Sequence, residues 1–238
     1  MALFQKLTAD FYYDSSENLL ARVSYQPFPN GPVKVNTLSA EQFSSCFIKE
    51  QDKTTIQRVG PLPYQMYDVI HYAKDSYVLA IVLDQAKRPM FYEMRDQNQT
   101  TFRGLIVYPS LFFTADIGSG ILRCLRCFAL KEAKRNEVFE ATELYQYPFG
   151  NVNSFDGKVC LGGNQLTGIT GYADAIEKIT NLFFSAGSNN DLYSGNTKAI
   201  SQYDLILKCR KKFPSSCLSP TRMTVNQLLE SIVKEKKG

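Results

Sequence analysis

The segment at residues 147–163 reads YPFGNVNSFDGKVCLGG and places Cys160 directly after a glycine-rich turn. A free thiol has a pKa of about 8.5, so a fraction of it is nucleophilic thiolate at neutral pH. His71 is the only histidine in the chain and is distant in sequence, which disfavours a Cys-His hydrolase unless the fold brings the two together. Without a strong base, the thiol is better suited to exchanging an activated acyl group than to attacking an amide.

Two asparagines and three of the four glycines in the same segment suit acyl exchange. The side-chain amides of Asn151 and Asn153 are candidate donors to a developing oxyanion. Small residues, here Gly157, Gly162 and Gly163, would leave a channel open for an acyl donor. A structural cysteine on a turn explains these residues equally well, so both interpretations stay open from the residues alone.

A C-x-x-C pair, Cys124 and Cys127, raises zinc or redox chemistry. The pair lies in ILRCLRCFAL, which is typical of a continuous strand and offers no turn to fold around a metal. Cys209 and Cys217 would have to complete a zinc site, but their spacing is wrong for a zinc knuckle. We therefore predict free core cysteines, with no metal and no cofactor.

The elements that must position Cys160 indicate an α+β protein. The apolar run at 77–83 predicts a buried strand. Further along, the pattern predicts an antiparallel meander with strands at 105–115, 121–130 and 137–145 and a hairpin loop at 116–120. The polar stretch 96–101 is the best candidate for a boundary between residues 1–100 and 101–238.

Helical patterns follow the thiol segment. Tyr172, Ile176, Ile179 and Phe183 share one face of a predicted helix. A second helix is predicted from a capping sequence at 224–227. Another capping sequence, at 39–42, predicts a short helix in the first hundred residues.

The segment at 151–161 resembles the active-site loop of ubiquitin-conjugating enzymes. That loop runs His-Pro-Asn, a β-branched residue, a few polar residues, Asn or Asp, Gly, one residue, Ile or Val, and the catalytic Cys, often followed by Leu. The order is the same here, with one extra residue before Cys160. Phe149 and Gly150 stand where the family has His-Pro.

A closer resemblance is to the prokaryotic ubiquitin-conjugating-like proteins of the PRTRC system protein B type. It covers roughly residues 50 to 195, with the thiol segment its most specific part. The segments that carry it are 55–63, 88–92, 108–113, 147–152, 157–162 and 182–185. A histidine is expected shortly after the last of these, where this chain has Ser-Asn-Asn at 188–190.

The resemblance implies a ubiquitin-conjugating (UBC-like) fold, with an antiparallel β-meander flanked by helices and an N-terminal β-rich extension. Residues 1–100 would form a separate region or contribute strands to the same sheet. A ThiF-like activating enzyme would use ATP to adenylate the C-terminus of a ubiquitin-like protein. Cys160 would then accept that C-terminus as a thioester and pass it to an amine. A metal-dependent deconjugating peptidase is an expected functional neighbour.

Two further site residues come from the resemblance. Asn151 matches the family asparagine that supports the loop or the oxyanion. Asp156 stands where the family has Asn or Asp before Gly, and would orient the loop or the incoming amine. A turn-forming Asp before Gly is the alternative interpretation of Asp156. The altered Phe149-Gly150 pair also favours a second hypothesis, a non-catalytic binding module for the ubiquitin-like protein or its activating enzyme.

Composition excludes several other classes. The net charge of +4 is mild and the basic cluster at 208–212 is typical of a solvated face, so nucleic-acid binding is disfavoured. Because the related systems are plasmid-linked, a third and weaker hypothesis is plasmid-DNA binding through the basic segments 208–212 and 234–237. The longest apolar run falls far short of the ~18 residues that a membrane span needs. The N-terminal residues lack the pattern of a signal peptide. The sequence therefore predicts a cytoplasmic protein with no membrane contact.

Overall fold

The computed structural model describes residues 6–13, 19–26, 34–39, 62–93, 101–131 and 134–237. The chain divides into two compact units, Met1–Val59 and Gly60–Gly238, which places the division earlier than the polar stretch at 96–101. The first unit contains an antiparallel sheet in the order β1–β2–β3. Its strands are β1 Lys6–Tyr13, β2 Leu19–Gln26 and β3 Lys34–Ser39. The helix predicted from 39–42 lies outside the described residues.

The second unit is built on a six-stranded antiparallel sheet with the order β11–β10–β9–β8–β5–β4. Its strands are β4 Met66–Ala73, β5 Ser76–Leu83, β8 Ser110–Gly118, β9 Ile121–Leu130, β10 Glu143–Gln146 and β11 Pro220–Thr224. A separate two-stranded ribbon is formed by β6 Ala86–Glu93 and β7 Thr101–Tyr108. Strands from before and after residue 100 therefore share one sheet.

The described residues of this unit include three α-helices: α1 Tyr172–Ser185, α2 Gln202–Cys209 and α3 Val225–Lys237. The predicted apolar stripe of α1 is confirmed, because Ala175, Ile176 and Ile179 are buried. The predicted cap of α3 is also confirmed. Thr224 N donates to Gln227 Oε1 over 2.9 Å, and Gln227 N donates to Thr224 Oγ1 over 3.3 Å. No helix in the described ranges is long and apolar enough to cross a membrane.

Side chains alternate between the two faces of the sheet, as the period of a β-strand requires. On the α1 face, the inward residues of β5, β8 and β9 pack with α1, α2 and the β6–β7 ribbon. On the α3 face, their neighbours pack with α3. Both faces are covered, which explains why the predicted buried strand at 77–83 is apolar throughout and confirms it as β5. The mixture of a meander and helices is the predicted α+β class.

Two predicted strands in the meander are wrong in detail. The strand at 105–115 is interrupted at Pro109, which has no N–H for a ladder, so that β7 joins the ribbon and β8 joins the main sheet. The predicted hairpin loop at 116–120 shortens to Ser119 and Gly120. Both have positive φ, 51° and 72°, as a tight two-residue turn favours.

The strand predicted at 137–145 is reduced to β10. A 3₁₀ turn at Arg135–Glu137 and a tight turn closed by Thr142 precede it. Phe139 N donates to Thr142 Oγ1 over 2.9 Å, and Thr142 N donates to the Phe139 carbonyl over 3.0 Å. The carbonyl of Thr142 accepts from Val225 N over 3.0 Å, so this turn supports the start of α3 instead of extending the sheet.

Candidate active site around Cys160

The thiol loop, residues 149–160, lies along strand β9. Cys127 N donates to the Gly157 carbonyl over 2.8 Å, and Val159 N donates to the Leu125 carbonyl over 2.8 Å. Strand β10 pairs with β9 only at Phe128 and Ala129. The thiol loop pairs with the adjoining residues along the same edge of β9. The sheet therefore fixes the part of the loop that leads into the cysteine.

Side chains inside the loop close its turns. Asn153 Oδ1 accepts from Phe155 N over 2.8 Å, and Asp156 Oδ1 accepts from Lys158 N over 3.0 Å. Bonds of this kind from Asn and Asp to a backbone amide two residues on are typical of tight turns. Neither Asn153 nor Asp156 lines the cleft beside Cys160. In this structure both side chains act on the loop's own backbone.

Cys160 itself is exposed at the end of the loop. Its backbone N–H donates to the Asn151 carbonyl over 2.8 Å, which sets the position of the residue that bears the thiol. Among the other described cysteines, Cys124 is half-buried, and the remaining three (Cys127, Cys209 and Cys217) are buried. Cys160 is therefore the most accessible thiol in the described part of the chain.

Asn151 holds the start of the loop through three of its polar groups. Its φ is 66°, in the left-handed region that Asn tolerates better than most residues. Its backbone N–H donates to the Asp191 carbonyl over 2.9 Å, and its Nδ2 donates to the Gly187 carbonyl over 2.5 Å. With the carbonyl bond to Cys160, these contacts make Asn151 a support of the loop, and its amide points at backbone.

Phe149 and Gly150 have clear packing roles in the place of His-Pro. The Phe149 ring is fully buried and meets Tyr108 and Tyr147 edge to face, with centroids 5.4 and 5.5 Å apart. A Cβ at Gly150 would overlap the carbonyl oxygen of Asn189. The aromatic residue thus fills the core, and the glycine admits the backbone of residues 186–191.

The predicted channel of glycines is only partly open. A Cβ added at Gly162 or Gly163 would have no neighbouring atom within 4 Å. Gly157 differs, because a Cβ there would overlap the ring of Phe128, and its φ of 71° also favours glycine. The expectation of open space at Gly157 is therefore wrong, since this glycine lets the loop pack closely on β9.

A narrow cleft lies beside Cys160, with Tyr108, Tyr147, Leu182 and Asn164 among its walls. Its volume of about 30 Å³ is room for little more than a water molecule. Burial raises the pKa of the Tyr108 and Tyr147 hydroxyls, so both stay protonated at neutral pH. Any molecule larger than a few atoms must therefore reach the thiol from the solvent side.

His71 lies on β4, which the sheet order separates from β9 by β5 and β8. Three strand spacings amount to about 14 Å. His71 Nε2 is 2.8 Å from the Tyr172 hydroxyl, with which it shares a hydrogen bond, and its ring also contacts Tyr77. The fold does not pair the histidine with Cys160.

The C-x-x-C pair lies within β9, as predicted, and its two residues point to opposite faces of the sheet because they are three positions apart. Burial raises the pKa of both the Cys124 and Cys127 thiols. Within the described ranges, no group of three or more His, Cys, Asp or Glu side chains is placed to hold a metal ion.

Three residues that support the loop were not predicted from the sequence: Gly187, Asp191 and Gln202. The polar composition of 188–191 indicates a loop, but it does not show which backbone groups that loop contacts. Gln202 begins a short helix and is buried, which is unusual for glutamine. Its role depends on contacts between segments far apart in sequence.

Comparison with protein families gives a match that covers most of the chain. The sequence model described as Prokaryotic E2 family D matches residues 43–221, which include the whole thiol loop and most of the second unit. Comparisons with curated proteins and with solved structures give no match.

Proposed function

Because the chain belongs to Prokaryotic E2 family D, we propose that it is a conjugating enzyme that carries a ubiquitin-like protein as a thioester on Cys160. The position of Cys160 carries the proposal. An exposed thiol ends a loop that backbone hydrogen bonds hold in place, inside the residues that the family matches. The fold we propose is UBC-like, with β8, β9 and β10 as its meander and β4 and β5 added to the same sheet by the first hundred residues.

The loading step is an exchange of thioesters. The Cys160 thiolate attacks the carbonyl carbon of the thioester that joins the ubiquitin-like C-terminus to a ThiF-like activating enzyme. A new S–C bond forms at Cys160, the old S–C bond breaks, and the activating enzyme's thiolate leaves and takes up the proton that Cys160 gave up. ATP is used earlier, when the activating enzyme adenylates the C-terminus, so this chain needs no cofactor.

In the transfer step, an acceptor amine attacks the thioester and expels the Cys160 thiolate. The proton lost by the amine balances the charge on the leaving thiolate. The tetrahedral intermediate needs hydrogen-bond donors for its oxyanion. The amide of Asn151 already donates to the Gly187 carbonyl, whereas the backbone N–H groups of Leu161 and Gly162 donate to no residue in the described ranges. We assign stabilisation of the oxyanion to these two backbone N–H groups, and support of the loop to Asn151.

Asp156 has two roles in this proposal. Its Oδ1 holds the turn through Lys158 N, and its Oδ2 lies 3.3 Å from Lys158 Nζ. The carboxylate is partly exposed, so it is available to orient an incoming amine when that amine reaches the loop. The turn contact supports the first role, and the partial exposure supports the second.

The test is reconstitution with the ThiF-like enzyme, the ubiquitin-like protein and ATP. Wild type is expected to form an adduct that DTT removes, and Cys160→Ala is expected to form none. Cys124→Ala is the matched control, since it removes the next most accessible described thiol and is expected to load normally. A thioester on Cys160→Ala would show that the site is assigned to the wrong residue.

A non-catalytic binding module is the second candidate. The observation that favours it is the commitment of the Asn151 amide to Gly187, together with the absence of a histidine near the thiol. In that case the ubiquitin-like protein or its activating enzyme binds this chain with equal affinity in wild type and Cys160→Ser. Calorimetric titration that shows binding, with no adduct under any condition, would favour this candidate.

Gene neighbourhood tests the finer assignment to the PRTRC system protein B type. We expect genes for a ThiF-like enzyme and a small ubiquitin-like protein beside this one. A gene for a metal-dependent deconjugating peptidase is expected in the same group. A different set of neighbouring genes would contradict the PRTRC system protein B type and leave membership of Prokaryotic E2 family D unchanged.

A further inference from the structure

Cys160 is exposed, so its position depends on the groups that hold the loop beneath it. The structure links it to a buried amide, that of Gln202 at the start of α2, which has only 2% of its surface exposed. We propose that Gln202 is a positioning residue for Cys160 and acts through the 186–191 segment in place of the missing His-Pro. The inference rests on the proposed role of Cys160.

The first contact joins Gln202 to the 186–191 segment. Gln202 Nε2 donates to Ser188 Oγ over 3.0 Å. A buried amide that loses its partner carries an unfavourable desolvation cost, so this bond fixes both residues. Gln202 Oε1 accepts no hydrogen bond within the described ranges, which leaves the bond to Ser188 as the amide's polar contact there.

The second set of contacts holds the segment against the ribbon. Ser188 N donates to the Phe91 carbonyl over 2.6 Å, and Glu93 N donates to the Ser188 carbonyl over 2.9 Å. The Tyr92 hydroxyl donates to Asn190 Oδ1 over 2.8 Å. Ser188 is therefore held through its backbone by β6 and through its hydroxyl by α2.

The third set of contacts passes from the segment to the thiol loop. The Gly187 and Asp191 carbonyls accept from the side chain and the backbone of Asn151, and the Asn151 carbonyl accepts from Cys160 N. Gly150 has no room for a Cβ against Asn189, so the two backbones are in direct contact. Each step from Gln202 to Cys160 is a hydrogen bond or a close packing contact.

This arrangement explains how the loop is held without His-Pro. The support comes from residues about 35 to 50 positions further along the chain, as the separations of Asn151 from Gly187 and of Gly150 from Gln202 show. Small displacements of a reacting group slow a reaction strongly, with ~1 Å costing as much as ~100-fold. The loss of the Gln202 amide is expected to make the position of Cys160 less well fixed. The thiol group itself is unchanged.

The experiment compares Gln202→Met and Ser188→Ala with wild type in the full chain. Methionine keeps the length of the side chain and removes the donor, and alanine removes only the hydroxyl. Amide hydrogen exchange read by NMR is expected to be about five-fold faster at Cys160 and Asn151 in each variant, the effect of one buried hydrogen bond. The double variant is expected to match the single ones, because both changes remove the same bond.

The matched control is Gln227→Met on the other face of the sheet. It makes the same substitution and also removes one hydrogen bond, the one from Thr224 N. This control is expected to leave exchange at Cys160 unchanged. Equal exchange at Cys160 in wild type and Gln202→Met would overturn the proposal, as would an equal acceleration of the Cys160 amide and the amides of β8, which reports general destabilisation.

A second readout uses the reconstituted loading reaction. Gln202→Met is expected to lower the maximal loading rate roughly ten-fold with little change in the KM for the loaded activating enzyme. A change in KM alone would overturn positioning. If wild type forms no adduct at all, the proposed function fails, yet the exchange measurement still decides whether Gln202 holds the loop.

Discussion

The two faces of the six-stranded sheet differ in the kind of contacts that cover them. On the α3 face, apolar residues of α3 cover the sheet, and Lys236 Nζ forms an ion pair with Asp116 Oδ2 at 2.7 Å. Tyr72 donates to the other oxygen of Asp116 over 2.5 Å, so side chains complete this face. On the α1 face, the thiol loop is held largely by backbone groups of the 186–191 segment, and the buried amide of Gln202 holds that segment.

This difference predicts that substitutions on the two faces have separable effects. The α3 face contributes packing and charge pairing that stabilise the whole second unit. The contacts at the thiol loop set the position of a few residues, and Cys160 is exposed among them. A substitution on the α3 face is therefore expected to change stability alone, and one at the loop to change stability and thiol chemistry together.

The largest difference is expected between the thiols themselves. Burial raises the pKa of Cys209 to about 12 and that of Cys127 well above its ordinary value. At pH 8 the thiolate fraction of Cys209 is then ~10⁻⁴, rising about ten-fold per pH unit toward the pKa. Iodoacetamide should label Cys160 at least about 1,000-fold faster in the native protein.

Tryptic mapping of the labelled protein resolves each thiol separately. Denatured protein is the control, since all described thiols should then react alike. Native labelling of Cys127 or Cys209 at the rate of Cys160 would contradict the burial of β9 and α2. Labelling of Cys127 or Cys209 below pH 9 in the folded protein would also contradict this burial.

The next largest effect is expected for Gly150→Ala. The added methyl group overlaps the Asn189 carbonyl, so either the 186–191 segment or the loop must shift. Overpacking of this kind lowers the free energy of unfolding by about 1–3 kcal/mol. Urea unfolding measures this loss, and the thioester assay should show reduced loading. Gly163→Ala, which meets open space, is the control for stability. Equal unfolding midpoints for the two variants would rule out close contact at Gly150.

A smaller effect, confined to stability, is expected for Lys236→Met on the α3 face. The hydrogen bond to Asp116 raises the pKa of Lys236, so the lysine is charged at neutral pH. Loss of the pair should lower the free energy of unfolding by about 1–2 kcal/mol, between the values of exposed and buried pairs. The rate at which iodoacetamide labels Cys160 should not change. Lys234→Met, at an exposed position, is the control, and an altered Cys160 rate in Lys236→Met would break the separation of the two faces.

The smallest effect is expected for Asp156→Asn. Asparagine keeps an oxygen that can accept from Lys158 N, so the turn remains closed. Loading of Cys160 should stay within about two-fold of wild type, because the turn and not the charge sets the loop. The rate at which loaded Cys160 transfers the ubiquitin-like protein to a small amine such as lysine then tests whether the carboxylate orients the amine. Slow discharge with normal loading supports orientation of the amine, and a loss of loading contradicts the turn as the main role.

Local patterns in the sequence predicted the elements that make mostly local contacts. The apolar run of β5 and the stripe of Ile176 and Ile179 on α1 follow from the periodicity of strand and helix. The break between β7 and β8 was visible in principle at Pro109. The apolar residues on both sides of Pro109 nevertheless favoured one long strand.

The residues that support the thiol loop could not be predicted from the sequence. Phe149 and Gly150 showed a departure from His-Pro, but not what occupies the space that the glycine leaves. The 186–191 segment contacts the loop through backbone carbonyls, and the Gln202 amide holds that segment through Ser188. Such contacts leave no residue pattern in the sequence. The resemblance located Cys160, and the structure then supplied the groups that hold it.

The most direct test of a thioester on Cys160 is to locate the ubiquitin-like adduct on the chain. After loading with the activating enzyme and ATP, the wild-type protein is quenched in mild acid and digested without reductant. The tryptic peptide 159–178 contains Cys160 as its only cysteine. We predict that the C-terminal remnant of the ubiquitin-like protein lies on this peptide and is released by DTT. A remnant on the peptides that carry Cys124 or Cys127, or no remnant on any peptide in a reaction where the activating enzyme is charged, would contradict the proposed function.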